Sequence, residues 1–213
     1  EEAQKRKHQA EMQVLQSQIN PHFIVNTLNS IRFMAQMSGY DGTRRMAQAL
    51  GNIVSCSFRS STSFYTVDEE LQMLDSYLYI MRIRYADGFE VRYDVAEDCR
   101  SCRLPRLTLQ PIVENSIKYG FGEDRDCLEI RIRTKIQNGI LSVIIADNGV
   151  GIQPGLLKEL KANLGQGQNQ TDHIGIYNVH KRIRLVYGSR FGVGIDSTTE
   201  KGTVVTLRVP CEE

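Results

Sequence analysis

The chain has 213 residues, 41% of them hydrophobic and 24% charged, enough for one or two ordinary globular cores. Its 26 basic and 25 acidic residues nearly cancel, so net charge gives no reason to expect a nucleic-acid partner or an anionic membrane surface. No run of about 18 apolar residues occurs and no signal-peptide pattern follows Glu1, so the chain reads as an internal or C-terminal part of a longer protein.

Residues 1–17 are rich in Glu, Gln and Lys, with a thin apolar seam of Ala3, Ala10, Val14 and Leu15 that predicts a helix. The helix continues through residues 19–31 and is kinked at Pro21, which has no backbone N–H to donate. At about 100° per residue, Ile24, Leu28, Ile31 and Ala35 form one stripe, and His22 points away from it beside Asn26 and Asn29. An outward imidazole is either a nucleophile near neutral pH or simply a surface residue. Ser38-Gly39-Tyr40-Asp41-Gly42 predicts a turn. A second helical region follows, interrupted by Ser60-Ser61-Thr62-Ser63, and Thr66-Val67-Asp68-Glu69 has the form of a capping box. Behind it Leu71, Leu74, Leu78, Met81 and Tyr85 recur at helical spacing, a seam suited to a bundle. Two chains would supply its four helices; the competing solution is packing against this chain's own second half.

Around Asp87-Gly88 the period changes to two, and Phe89, Val91, Tyr93 and Val95 alternate as a half-buried strand. Residues 106–119 return to helix. Strands over 128–136 and 140–146 flank Asn138-Gly139, a strong hairpin signal. Residues 153–172 are polar, with a short helical piece near 156–160. A helix over 174–187 follows, with Ile176, Val179, Ile183 and Val186 on one face and Gly188 as its stop. Two last strands, near 192–197 and 203–209, surround Lys201-Gly202. The expected fold is α+β: a helical hairpin over 1–87, then a sheet covered by helices on one side over 88–213. The five cysteines (Cys56, Cys99, Cys102, Cys127, Cys211) include one CxxC but no second pair to complete a zinc site, and they read as reduced thiols.

Three segments of the second half carry chemistry. On the helix containing Val113-Glu114-Asn115-Ser116-Ile117-Lys118-Tyr119-Gly120, apolar residues and Ser116 can face the sheet while Asn115 and Lys118 share another face. An amide oxygen and an ammonium suit a magnesium-phosphate group, but a plain amphipathic helix has the same pattern. Asp147-Asn148-Gly149-Val150-Gly151 ends an apolar strand with an acceptor carboxylate and two glycines, either for close approach of a flat ligand or for a tight turn. Asp172-His173-Ile174-Gly175 opens a helix whose free amides could hold phosphate oxygens.

In this order and spacing the three resemble the N, G1 and G2 boxes of the GHKL, or Bergerat-fold, ATPases, and Gly202-Thr203-Val204-Val205-Thr206-Leu207 resembles the strand closing their adenine side. That superfamily groups sensor histidine kinases with Hsp90-type chaperones, mismatch-repair ATPases and type II topoisomerases. Gln18-Ile19-Asn20-Pro21-His22-Phe23, followed by Asn26-Thr27-Leu28-Asn29, is similar to the phosphoacceptor box of the autolysin-regulator type of sensor kinase.

The resemblance implies a dimeric four-helix bundle with a histidine phosphotransfer role (1–87) and a Bergerat-type ATP-binding sandwich (88–213), hinged at Tyr85-Ala86-Asp87-Gly88. It implies ATP and Mg²⁺ as cofactors, His22 as the autophosphorylated residue and Asn115 as the magnesium ligand. Asp147 would accept from the adenine amino group, with Gly149, Gly151 and Thr203 shaping its pocket. Gly175 would belong to the phosphate lid, and Lys118 and Tyr119 would line the site. A homodimer, a response-regulator aspartate as phosphoryl acceptor, and a cytoplasmic position below an upstream membrane sensor segment follow from the same likeness.

The sequence departs from the pattern at four places. Phe23 stands where many sensor kinases carry an acid after the histidine, so Glu114 is the candidate base. Asn26, one turn on, is placed to orient a water for dephosphorylation. Pro111 replaces the water-activating glutamate of the chaperone relatives, against a dedicated ATP hydrolase, and Thr171 and His173 occupy positions where lid glycines are common. The alternatives to a kinase are a non-catalytic nucleotide-binding scaffold and a conformational ATPase.

Overall fold

The computed structural model describes residues 27, 30, 31, 34, 40–58, 63–86, 88–122, 127–166 and 174–211. His22 and Asn26 therefore lie outside the described residues, as do Thr171 and His173. Thr27, Ser30, Ile31 and Met34 are helical, with Thr27 buried and Ile31 and Met34 packed against the core. Helix α1 (Tyr40–Phe58) leads to a short strand β1 (Phe64–Thr66), helix α2 (Val67–Arg84), strand β2 (Phe89–Asp94) and a 3₁₀ turn (Glu97–Cys99). Then come β3 (Arg103–Pro105), α3 (Gln110–Tyr119), β4 (Leu128–Gln137), β5 (Ile140–Asp147), α4 (Pro154–Gln166), α5 (Ile174–Tyr187), β6 (Gly192–Thr198) and β7 (Gly202–Pro210). The turn expected at 38–42 is instead, over Tyr40–Gly42, the first turn of α1: glycine lowers helix propensity there without preventing a start.

Five strands form one sheet in the order β2-β4-β5-β7-β6, parallel between β2 and β4 and antiparallel elsewhere. The β4–β5 hairpin turns at Asn138 and Gly139, both at positive φ (52° and 70°), the geometry that suits the twist of paired strands. Ile132, Ile145, Val205 and Ile195 are register partners in one row across the sheet, and Val143, Leu207 and Val193 in the next; all are buried. Each such side chain contributes roughly 1.5–3 kcal/mol on leaving water. Arg131, Arg133 and Lys135, alternating with the buried residues of β4, are exposed on the other face. Helices α3, α4 and α5 cover the apolar face with Ile112, Val113, Ile117, Leu160, Leu164, Ile176, Val179 and Ile183.

The capping box forms: Thr66 Oγ1 accepts the Glu69 N–H (3.1 Å), and a Glu69 carboxylate oxygen accepts the Thr66 N–H (2.8 Å). The seam behind it differs from the two-chain expectation. Leu71, Leu74, Leu78 and Met81 are buried within the single chain, as are Val67, Met73, Tyr77 and Ile80 on the adjoining face. Helix α2 lies between α1 and the β1, β3 and α3 region, so the competing solution covers the seam.

Several contacts join α2 and its flanks to the second half of the chain. β1 pairs antiparallel with β3, Asp68 is ion-paired with Arg100, and Tyr93 Oη donates to Asp75 Oδ1 (2.6 Å). At the expected hinge, the Tyr85 ring stacks on Phe121 (5.3 Å between centroids, 12° between planes), and the Leu128 N–H donates to the Gly88 carbonyl (3.0 Å). The reading of all five cysteines as reduced thiols is corrected. Cys102 and Cys211 form a disulfide, 109 residues apart, because β3 and the end of β7 meet in space, a proximity invisible in linear spacing. Cys99 is free and buried, and Cys127 is free and exposed.

Candidate nucleotide site

Strand β5 delivers Asp147 to the sheet edge beneath α3. The next residue, Asn148, keeps the chain in register by accepting the Glu129 N–H on its side-chain oxygen (2.8 Å) and donating its own N–H to the Glu129 carbonyl (3.1 Å). Asp147 is held by three donors. Oδ1 accepts the N–H groups of Gly149 (3.0 Å) and Thr203 (3.1 Å), and Oδ2 accepts the Ser116 hydroxyl (2.8 Å). Such charge-assisted bonds fix the carboxylate's plane while leaving acceptor capacity facing the cleft.

The glycines after it serve packing as well as turning. A Cβ at Gly149 would lie 2.6 Å from Gly120 Cα, and Gly151, at φ 72°, would place one against the Thr198 carbonyl. The space a side chain would need at both glycines is taken by the protein's own backbone, as the tight-turn reading expects. Ser197 closes the far wall: its hydroxyl donates to the Gly202 carbonyl (2.8 Å), accepts the Ile152 N–H (2.9 Å), and lies 2.9 Å from Thr203 Oγ1.

Opposite stands α3, amphipathic as its pattern predicts, with Ile112, Val113, Ser116 and Ile117 buried. Asn115 points into the cleft, and its side-chain nitrogen is buried without a hydrogen-bond partner among the described residues. An unmet buried amide costs about 1–3 kcal/mol, so a ligand that engages it recovers that cost. Gly175, at the start of α5, approaches from the other side; a Cβ there would come 3.3 Å from Pro111 Cβ and 3.6 Å from the Asn115 amide nitrogen.

Together these elements line an open cleft, floored by Ile112, Ile176, Ile195 and Val205 and rimmed by Asn115, Tyr119, Asp147, Gly151 and Thr203. An apolar floor with a few fixed polar groups suits a flat heterocycle carrying a charged tail. The structure thus gathers Asn115, Tyr119, Asp147, Gly149, Gly151, Gly175 and Thr203 at or beside one cleft. Lys118 and Glu114 are not in its lining: Lys118 Nζ lies 4.8 Å from the Tyr119 ring centroid. Burial pushes the Glu114 carboxyl above its ordinary range, against the pull of Lys118 and Arg84. Two residues with clear roles here, Ser116 and Ser197, are not singled out by the sequence. A hydroxyl at a sheet-facing position of α3 is the signal available for the first; nothing local marks the second.

A mixed five-stranded sheet with helices on one face, an acidic strand end and a facing asparagine helix define a nucleotide-binding α+β sandwich. Residues 103–213 match the family described as histidine kinase-, DNA gyrase B-, and HSP90-like ATPase, and the chain belongs to that family. Residues 10–89 match the family described as histidine kinase. Sensor histidine kinase YesM of Bacillus subtilis (strain 168) is 32% identical over 203 residues, covering 95% of this chain and 34% of that protein. Sensor protein kinase HptS of Staphylococcus aureus (strain USA300) is 27% identical over 210 residues, covering 99% of this chain and 40% of that protein. The chain thus spans between a third and two fifths of the length of these relatives. Among solved structures, the catalytic domain of histidine kinase ThkA aligns at TM-score 0.50 and 15% identity, covering 70% of this chain and 95% of that one, a likeness of fold.

Proposed function

We propose that the chain is the kinase portion of a two-component sensor: an ATP-dependent protein-histidine autokinase whose cleft holds ATP and whose His22 accepts the γ-phosphoryl group. The observation that carries this reading is the Asp147 carboxylate, fixed by Gly149, Thr203 and Ser116 at an apolar floor, with the unmet Asn115 amide across the cleft. The carboxylate takes the adenine amino group, and the apolar side chains take the ring faces. A half-turn of the Asn115 carboxamide presents its oxygen, the hard donor that Mg²⁺ prefers; the cation would supply charge neutralisation on the phosphates.

In the transfer step the imidazole nitrogen forms an N–P bond as the bridging P–O bond breaks and ADP leaves. Such a step asks mainly for in-line placement and charge neutralisation, which the cleft would provide once brought to the His22 imidazole. Glu114 and Asn26 are assigned as candidate base and water-orienting residue, and Lys118 as a cation near the phosphates. Around this core we further propose a homodimer, a response-regulator aspartate as acceptor, the autolysin-regulator subtype, and a cytoplasmic position below a membrane segment. Among the described residues no helix is long and apolar enough to cross a membrane.

Incubation with γ-labelled ATP and Mg²⁺ tests the reading. Acid-labile, alkali-stable label on the protein, absent from His22→Ala and from Asp147→Asn, is expected. Steady phosphate release without protein label would select a conformational ATPase, and binding with neither would select a scaffold.

A further inference from the structure

We propose that Glu70 is a positioning residue for the nucleotide site: with Arg182 it holds Leu107 in a left-handed conformation and thereby sets the start of the helix that carries Asn115. The inference rests on the ATP-site reading above and extends it to a residue more than 30 positions upstream of the cleft segments.

Glu70 lies on α2 and is 2% exposed. One carboxylate oxygen accepts the Leu107 N–H (2.6 Å); the other accepts those of Thr108 (2.8 Å) and Leu109 (2.9 Å). These N–H groups lead into α3, whose own N-cap, Leu109, has no side chain to offer. The N–H groups around a helix start need acceptors, and here a different helix supplies them for the N-cap Leu109 and the two residues before it. Arg182, on α5 and 4% exposed, donates from Nη2 to the Leu107 carbonyl (2.8 Å). Leu107 is thus gripped at both its N–H and its C=O, and its φ is 55°, a region that branched L residues avoid unless the surroundings over-determine it.

Burial pushes the Glu70 carboxyl above its ordinary range, and its three amide donors and Arg182 offset that in part. Burial draws Arg182 down to about 10, with Glu70 opposing, so it keeps its charge at neutral pH. A group that only accepts is what three converging N–H donors require.

The consequence lies at the cleft. Asn115 follows Leu109 by less than two turns of α3, and Arg182 follows Gly175 by about two turns of α5. A Cβ at Gly175 would lie 3.3 Å from Pro111 Cβ and 3.6 Å from the Asn115 amide nitrogen, so α5 approaches α3 closely there, while Arg182 donates to the Leu107 carbonyl. Helices α2, α3 and α5 therefore share one buried contact, and a shift of α2 is passed to both walls of the phosphate end of the cleft.

The test is nucleotide affinity in the full chain, with a fluorescent ATP analogue and with the KM for ATP in autophosphorylation. Glu70→Gln turns an amide NH₂ toward backbone donors; affinity is expected to fall tenfold or more, with kcat at saturating ATP within about twofold. Glycine adopts φ near 55° unaided, so adding Leu107→Gly to Glu70→Gln is expected to restore affinity to within about threefold. A merely structural carboxylate would show no such rescue. Arg182→Gln releases only the carbonyl end, which keeps the test open if Glu70→Gln does not fold; it is expected to weaken binding and to be non-additive with Glu70→Gln. Unchanged affinity in Glu70→Gln or in Arg182→Gln, or loss without rescue by Leu107→Gly, overturns the proposal. Asn115→Ala separates the two readings. If it binds like the parent chain, the ATP-site reading fails and takes this proposal with it; if it does not bind while Glu70→Gln binds normally, this proposal alone fails.

Discussion

At the residue scale the cleft depends on how Asp147 is oriented, and Ser116 donates its hydroxyl to it through a 2.8 Å bond from α3 to the end of β5. Ser116→Ala removes that donor but leaves the two backbone amides. A hydrogen bond to a charged group is worth about 1.5–3 kcal/mol, and the lower end applies where other donors remain. ATP affinity in Ser116→Ala is therefore expected to fall about tenfold, with the thermal midpoint lowered by about 3–6 °C; titration calorimetry against ATP and a thermal melt check it. The residues that meet at this site were legible to different degrees. Asp147, Gly149 and Gly151 stand together in sequence, and the Gly149 N–H binds the Asp147 carboxylate locally, so part of the motif's geometry is its own. Asn115 could be placed by helical spacing. Ser197 could not, because it joins two segments, Ile152 beyond the Asp147 loop and Gly202–Thr203 across its hairpin, and Glu70 reads as an ordinary charged residue behind a capping box.

At the scale of elements, the legible pieces were those whose cause is local: the Thr66–Glu69 box, the Asn138–Gly139 hairpin, and the apolar face of α5. Strands β1 and β3, three residues each, carry too little alternation to announce themselves, and they exist because they pair with each other. The docking of α5 on the sheet is likewise tertiary. His180, buried on α5, accepts the Val193 N–H of edge strand β6 on Nδ1 (3.1 Å). Burial holds its imidazole below the usual value, reinforced by nearby Arg184 and opposed by bonds to the backbone of Val193 and Leu164. A base whose pKa is depressed on folding contributes stability in full above the unfolded value of about 6.5, and that contribution is lost as pH falls through the folded one. Denaturant midpoints are thus expected to drop below about pH 6.5. His180→Asn keeps an acceptor for Val193 but cannot titrate, and should show a smaller drop over the same range. An equal drop in both proteins would assign the effect to other groups.

At the scale of the whole molecule, the question is where the ATP-binding unit begins. Periodicity changes at Asp87-Gly88, and a reading from sequence divides the chain there because the helix ends. Contacts do not respect that position: the β1–β3 ladder, the Asp68–Arg100 pair, the Glu70 carboxylate and the Tyr85–Phe121 stack all cross it. Removing residues 1–87 would leave the amides of Leu107, Thr108 and Leu109 without acceptors and strip the apolar cover from α3. The apolar burial lost with Val67, Leu71, Leu74 and Leu78, roughly 1.5–3 kcal/mol for each side chain, approaches the whole stability of a domain of this size, about 5–15 kcal/mol. Removing residues 1–62 leaves every one of those contacts in place and, among the described residues, uncovers the side of α2 that α1 covers and the core contacts of Ile31 and Met34. A fragment of residues 63–213 is accordingly expected to unfold cooperatively and bind ATP within about threefold of the full chain, without self-phosphorylation because His22 is gone. A fragment of residues 88–213 is expected to lack a cooperative transition and to bind no nucleotide. Circular dichroism melts and nucleotide titration on the two fragments distinguish the boundaries. If the shorter one folds and binds ATP normally, α2 belongs to the helical stalk and the swing takes place at Tyr85–Gly88; if only the longer one does, α2 moves as part of the ATP-binding unit.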